Sequence, residues 1–322
     1  MGLRLLATGL LLALAAPLQA AVPLPLADGV HVLRDSFSFD RQPDGNSVIF
    51  SGPQGQLVVD TGRHIEHAQA LLDFARTQSQ AIVAVLNTHW HLDHIGGNAL
   101  LRQQVPGLTV LASDAVAPAL TGWLANGRRE MQAMLDSPRT DNTARAMIAI
   151  DIALIDQGRK LLPDQTLDAA RTVDLIGRPL QIGFERDAVT AADLWVYDPA
   201  SHVLAAGDLV TLPVPFFDTA CTPGWRAALA HLEAQPFEQL VPGHGAAMSR
   251  ADFQTWRRGF DGLLACAAGP ADEEQCVNGW VQAMGGLLPA AQAPRARDML
   301  MRYLGQQLRS TAERRDRFCS KT

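Results

Sequence analysis

The sequence predicts an α+β fold on three observations. Short apolar runs rich in β-branched residues recur between residues 30 and 241 and read as strands. Helical spacing of apolar residues separates several of these runs. Residues 114–161 and the stretch beyond residue 250 are helix-forming without strand runs, so a helical insertion and a helical C-terminal extension are expected.

In order, Val30-His31-Val32-Leu33 and Ser47-Val48-Ile49-Phe50 read as strands divided by the turn signal Pro43-Asp44-Gly45-Asn46. Gln56-Leu57-Val58-Val59-Asp60 is a third strand, ending in Asp60-Thr61-Gly62. Ile65, Ala68, Leu71, Leu72 and Ala75 then recur at helical spacing. A strand over 81–88, a helix near 98–104 and a strand at 108–112 complete a β-β-β-α-β-α-β order. The insertion, rich in Ala, Met, Arg and Leu, turns at Ser137-Pro138. Its Trp123, Met131, Met134 and Leu135 either roof a site or simply pack on the domain. Strands resume at 173–176, 180–184, 193–197 and 203–206, joined by Gly177-Arg178-Pro179 and Asp198-Pro199-Ala200-Ser201. A helix near 223–234, a strand ending at Val241 and several helices follow. Residues 28–250 are read as one domain, with 251–322 as a helical extension packed on it.

With 322 residues the chain can bury a full hydrophobic core. Its 48% hydrophobic and 19% charged residues are those of an ordinary globular protein. A net charge of −6 without a basic stripe argues against a nucleic-acid partner. At the N-terminus, Arg4, the apolar run 5–17 and the small residues Ala20-Ala21 describe a secretory signal peptide over residues 1–20, too short to span a bilayer. A retained anchor is the alternative. No later segment is long and apolar enough to span, so a periplasmic or secreted protein is expected. Nothing in the sequence sets an oligomeric state. Cys221, Cys266, Cys276 and Cys319 allow three pairings in an oxidising compartment. Cys266–Cys276, closing a helix-to-helix connection, with Cys221–Cys319, tying down the tail, is the favoured set; buried free thiols are the alternative.

The chemistry concentrates in Thr88-His89-Trp90-His91-Leu92-Asp93-His94-Ile95-Gly96-Gly97-Asn98. Three imidazoles and a carboxylate fall within six residues, directly after an apolar strand. On an extended backbone His89 and His91 lie on one side and can converge on one point. Asp93 and His94, after the chain turns, can face a second. Imidazole and carboxylate suit zinc and its neighbours, so two adjacent metal centres are expected. Two more apolar strands stop at chemical residues: Ala205-Ala206-Gly207-Asp208 delivers Asp208, and Val241-Pro242-Gly243-His244-Gly245 delivers His244. His31, His64, His67, His202 and His231 sit at no such strand end and read as solvated or capped surface residues.

Four ordered motifs, Val58-Val59-Asp60-Thr61-Gly62, the His-x-His-x-Asp-His run, Ala206-Gly207-Asp208 and Pro242-Gly243-His244-Gly245, resemble those of the metallo-β-lactamase-fold hydrolases. The resemblance implies an αββα sandwich with a dinuclear zinc site. His89 and His91 would hold the first metal, and Asp93, His94 and His244 the second. Asp208 would bridge both, while Asp60 supports the metal loop from behind. One departure stands out. Family members supply a third histidine to the first metal from a His-Thr-x-Gly-Asp segment, and here Val189-Thr190-Ala191-Ala192-Asp193 places a valine there. The first site then needs water or a substitute such as Asp187 or Glu185. One tightly bound Zn2+, and up to two in all, is the expectation.

This pattern predicts an exported zinc-dependent hydrolase in which Asp93 is the catalytic carboxylate and an activated water attacks a small-molecule carbonyl. A Gly-x-Ser-x-Gly nucleophile motif is absent. Export favours a β-lactam, lactone or ester over a glutathione thioester. The alternative is a non-catalytic periplasmic metal- or metabolite-binding accessory protein of the same fold.

Overall fold

The structure is a computed structural model and describes residues 22–34 and 41–320. The expected signal peptide, residues 1–20, lies outside them. Two sheets are present among the described residues. The first has seven strands in sequence order: β1 (Leu24–Ala27), β2 (Val30–Leu33), β3 (Ser47–Gly52), β4 (Gly55–Val59), β5 (Ile82–Leu86), β6 (Thr109–Ser113) and β7 (Gln165–Leu167). The early strands pair antiparallel, whereas β4 through β7 run parallel. The second sheet runs β13 (Met248–Ser249), β12 (Gln239–His244), β11 (Val203–Thr211), β10 (Ala192–Asp198), β9 (Leu180–Arg186), β8 (Arg171–Val173), with β11 and β12 parallel.

The helices are α1 (Ile65–Thr77), α2 (Leu92–Ile95), α3 (Asn98–Gln104), α4 (Val116–Thr121), α5 (Trp123–Asp136), α6 (Asn142–Ile155), α7 (Thr222–Ala234), α8 (Arg250–Ala268), α9 (Glu273–Met284), α10 (Ala293–Tyr303) and α11 (Ala312–Arg315). Sequence reading misses β1 and β7, and places β8 too late. Residues 174–176 lie past its end, where Ile176 is buried but its carbonyl turns to the Gln54 N–H.

Both faces of each sheet are covered, which is why β4 and β5 are apolar throughout rather than alternating. In β4, Leu57 and Val59 face Ile182, Leu194, Val196 and Val241 of the second sheet, while Val58 between them joins Leu71 and Phe74 of α1 on the outer side. The outer face of the second sheet is buried under α7 to α10. The order of layers is therefore helix, sheet, sheet, helix, and parallel strands deliver their C-terminal ends to one edge of the sandwich.

The C-terminal helices are stitched to that edge. Indole N–H groups of Trp225 (α7), Trp256 (α8) and Trp280 (α9) donate to the carbonyls of Leu209, Thr211 and Pro213 at 2.9, 2.8 and 3.0 Å. Leu209 and Thr211 are alternate residues of β11, whose carbonyls point the same way, and Pro213 lies two residues past the strand's end, so three helices hold β11 and its exit. The held stretch begins one residue after Asp208. Capping boxes Ser249/Asp252 and Asp272/Gln275 start α8 and α9.

Both favoured cysteine pairs are formed. Cys266–Cys276 spans the α8–α9 connection, and Cys221–Cys319 fastens the tail beside α7. Ser320 then donates to the Asp187 carboxylate, and Phe318 lies 5.3 Å from the Trp123 ring. Because Cys221–Cys319 closes 98 residues, chain entropy assigns it about 3–5 kcal/mol. Replacing Cys319 by Ser is expected to lower the melting temperature by roughly 5–10 °C. An unchanged calorimetric transition would contradict that assignment.

Candidate metal centre

The site is built from strand ends. After β5, residues 87–91 form a loop that opens the short helix α2, with His91 at its N-terminal boundary. Asp208 lies within β11 and His244 ends β12. The turn Pro43-Asp44-Gly45-Asn46 clamps two of these loops together. Gly45 N–H donates to the Asp93 carbonyl at 2.9 Å, and Asn46 N–H to the Gly243 carbonyl at 2.7 Å. The Asn46 amide also reaches the Pro242 and Gly245 carbonyls. Two glycines permit this closeness: a Cβ on Gly45 would meet His94 Cε1 at 2.5 Å, and one on Gly243 would meet Asp208 Oδ1 at 2.0 Å.

All six residues expected as ligands come together, in two groups. His89, His91 and Asp208 form one; Asp93, His94 and His244 form the other, and within each group the ligand atoms lie within 4.8 Å of one another. His89 Nε2 and His91 Nδ1 are 2.9 Å apart. Asp208 stands between the groups. Its Oδ2 is 3.6 Å from His89 Nε2 and 3.9 Å from His91 Nδ1, while its Oδ1 is 3.1 Å from His94 Nε2 and 3.6 Å from His244 Nε2. Asp93 Oδ2 lies 3.1 Å from His244 Nε2.

Outer partners settle which imidazole nitrogens face inward. Thr88 Oγ1 donates to Asp60 Oδ2 at 2.7 Å, so it accepts from the His89 Nδ1–H at 2.9 Å and leaves Nε2 bare. Thr219 Oγ1 donates to the Val189 carbonyl at 2.8 Å, so it accepts from the His91 Nε2–H at 3.0 Å and leaves Nδ1 bare. His94 Nδ1 donates to Asp60 Oδ2 at 2.8 Å, which turns Nε2 inward. Among the described residues, the buried His94 Nε2 and Asp208 Oδ1 have no hydrogen-bond partner. Two bare imidazole lone pairs 2.9 Å apart, beside an orphaned nitrogen and an orphaned carboxylate oxygen, are an arrangement that a divalent cation satisfies and a neutral core does not. The donor set of imidazoles and carboxylates fits zinc-like ions.

The electrostatics agree. Burial works against charge at Asp208, yet His94, His244 and His89 hold its carboxyl well below the usual carboxylate range. Burial likewise opposes a charge on His94, but Asp208, Asp60 and Asp93 push its pKa well above the ordinary imidazole value. The pocket holds an excess of negative charge that favours a cation at its centre. Asp93 is also kept low against its burial by His94, His244 and Arg63. At His91, burial and the neighbouring His89 lower the pKa and favour the neutral ring that a ligand requires.

Sequence reading missed Arg63 and Thr219. Arg63 Nη2 lies 3.5 Å from Asp93 Oδ1 and its other terminal nitrogen pairs with Asp151, so it orients Asp93 from the α6 side. Thr219 is 128 residues from His91 and follows no motif, so only folding reveals it. The suggested substitute ligands do not serve. Glu185 accepts from the Trp195 indole and contacts His231, and Asp187 is held by Ser320. Val189 is fully buried in the apolar core beneath α7. Asp193, from the same segment, accepts from the Thr190 N–H and hydroxyl, and burial pushes its carboxyl up to about 7.

Two histidines expected at the surface are not there. His64 and His67 are buried, His64 against Asp44 and His67 against Ser47 Oγ at 2.7 Å, because α1 packs its first turn under the 43–47 turn. His231 is exposed, as expected of a helix-surface residue.

Replacing Asp60 by Asn would offer an amide donor to His94 Nδ1 and turn the protonated nitrogen inward. Zinc affinity in Asp60→Asn, measured against a chromophoric chelator, is expected to fall roughly 10–100-fold with the circular dichroism spectrum retained. Unaltered affinity would contradict the tautomer assignment.

The comparisons with known proteins agree with this geometry. The chain matches the model of the metallo-beta-lactamase superfamily over residues 41–244. In structure it is similar to a metallo-beta-lactamase from Pontibacter korlensis, with 22% sequence identity, a TM-score of 0.54, and coverage of 72% of this chain and 94% of that one. Local stretches resemble the hydroxyacylglutathione hydrolase-like proteins of Mus musculus, 43% identical over 60 residues, and Bos taurus, 44% identical over 57. Those stretches span 19% and 18% of this chain, and only 21% and 30% of the relatives' own lengths. With both sheets, their helical covers and the strand-end cluster in place, the chain belongs to the metallo-beta-lactamase superfamily.

Proposed function

We propose that the protein is an exported, zinc-dependent hydrolase acting on a small carbonyl substrate such as a β-lactam, lactone or ester. The observation that carries this reading is the inward convergence of His94 Nε2, Asp93, His244 and Asp208 on one point at the floor of an open cavity. Two disulfides support an oxidising compartment. Among the described residues, no helix is long and apolar enough to cross a membrane.

His94, His244, Asp93 and Asp208 would hold one metal, and His89, His91 and Asp208 a second. When bound, the metal supplies Lewis acidity toward water and a carbonyl oxygen. The protein's own contribution is position and proton handling. Asp93 lines the cavity, is held ionised, and is braced by Arg63. It is placed to take a proton from an attacking water and return it to the leaving group. Trp90, Leu124 and Phe216 line the same cavity and exclude bulk water from the reacting side.

The two sites differ in completeness. The Asp93, His94, His244 and Asp208 set offers four side chains, whereas the other has three, since Val189 offers none. Zinc titration of metal-stripped protein is expected to show one tight equivalent and a second weaker by roughly tenfold or more. Two equally tight equivalents would sink the asymmetry.

Turnover is tested on a panel of chromogenic β-lactams, lactones, esters and thioesters. Hydrolysis is expected to stop on chelation and to fall roughly 100-fold or more in Asp93→Asn. Tight zinc binding with no turnover on any panel member would overturn the hydrolase reading in favour of an accessory metal-binding role.

A further inference from the structure

Helix α6 of the insertion packs beside α2, the short helix that carries Asp93 and His94. A chain of side chains runs between them. Gln42 Nε2 donates to Asp151 Oδ2 at 2.8 Å, Asp151 Oδ1 pairs with Arg63 Nη1, and Arg63 Nη2 stands 3.5 Å from Asp93 Oδ1. The Arg63, Asp93 and Asp151 side chains are 11%, 12% and 11% exposed, so solvent screens their attraction weakly.

The base of Arg63 is fixed. Its backbone N–H donates to Asp44 Oδ1 at 2.7 Å, and its Nε–H to the Pro43 carbonyl at 3.2 Å. Only the end of the guanidinium is left to choose between two carboxylates. It meets Asp151 directly, whereas its 3.5 Å separation from Asp93 exceeds the usual hydrogen-bond range of about 2.7–3.2 Å. Asp93 Oδ2 is meanwhile turned to His244 Nε2 at 3.1 Å, inside the cluster. The choice has a consequence for a cation. A guanidinium without another partner closes on a carboxylate as a two-pronged fork and takes both oxygens. An arginine beside a ligand carboxylate therefore competes with the metal unless a second acid holds it back.

We propose that Asp151 is a positioning residue that keeps Arg63 from closing on Asp93, and so leaves that carboxylate open to the metal. The inference rests on the reading of Asp93 as a metal ligand and is independent of which substrate is hydrolysed. Held at this distance, Arg63 steadies Asp93 without capturing it. Gln42 holds the second oxygen of Asp151 and so fixes the acid in its place against Arg63. The insertion thereby supplies part of the metal centre, from a helix that carries none of the candidate ligands.

The test reads metal binding without turnover, by titrating metal-stripped proteins of native circular dichroism with zinc against a chromophoric chelator. Asp151→Asn is expected to weaken the tight equivalent roughly tenfold or more. Asp151→Ser, with no carbonyl left to hold the guanidinium, is expected to weaken it at least as far. Removing the competitor as well, in Arg63→Gln/Asp151→Asn, is expected to restore affinity to within about threefold of the unsubstituted protein. Asp151→Glu keeps the charge and most of the affinity. Asp156→Asn takes the same charge from the exposed Arg128 pair of the insertion and leaves zinc binding unchanged. A merely structural Asp151 predicts the reverse order, with the double variant at least as weak as the single. That order, or full affinity in Asp151→Asn and Asp151→Ser, overturns the proposal. A crystal structure of metal-stripped Asp151→Asn separates the inference from the metal reading. Arg63 is expected to fork onto both Asp93 oxygens at about 2.7–2.9 Å. Arg63 in its original place overturns the proposal. Should the unsubstituted protein take up no zinc, the metal reading falls, and the position of Arg63 in that crystal alone decides whether Asp151 restrains it.

Discussion

The Asp60 carboxylate is the contact on which the site depends. It sits at the end of β4 with a φ of 61°, a left-handed conformation that an aspartate tolerates better than most residues. From there Oδ1 accepts the Thr88 backbone N–H at 2.8 Å, and Oδ2 accepts both the Thr88 hydroxyl and His94 Nδ1–H. One buried carboxylate therefore orients the backbone where the metal loop begins and, through Thr88, the ring of His89. It fixes the ring of His94 directly. Each of these two imidazoles is left with Nε2 turned inward before any ion arrives. Pre-organisation of this kind removes the ordering cost from the binding step.

A second constraint comes from the other side of the sandwich. Asp208 must approach both halves of the cluster, and the strand that carries it, together with the bend that follows, is held by three tryptophan indoles from three successive C-terminal helices. Phe216, on the loop between β11 and α7, lines the cavity wall and lies 6.2 Å from the Tyr303 ring of α10. The extension is therefore continuous with the core that positions a candidate ligand. The tail closes the arrangement by laying Phe318 and Arg317 against Trp123 of the insertion.

Local sequence carried the strand-end cluster because its chemistry is local. His89, His91, Asp93 and His94 lie within six residues after an apolar run, and the two remaining candidate ligands, Asp208 and His244, each lie on an apolar strand beside a glycine. The layered fold was legible for the same reason, since strands buried on both faces are continuous apolar runs. The partners that select tautomers were not legible. Thr219 meets His91 across 128 residues, and nothing in its own neighbourhood distinguishes it from a surface threonine. His64 and His67 carry ordinary helix-start spacing, and only the packing of the 43–47 turn over α1 buries them. The arginines of α10 resemble any solvated helix face until the helix is laid beside the cavity. The short strands β1 and β7 are edge additions, whose pairing rather than composition makes them strands.

The most direct test of the central claim is where an ion settles. Crystals of the protein equilibrated with zinc, measured on both sides of the zinc absorption edge, locate it by anomalous difference density. The account predicts a peak coordinated by His94 Nε2, His244 and a carboxylate oxygen of Asp93 or Asp208, with zinc–nitrogen distances of about 2.0–2.1 Å. A His94 ring flipped to present Nδ1, or zinc density only at surface histidines with this pocket empty, would contradict it.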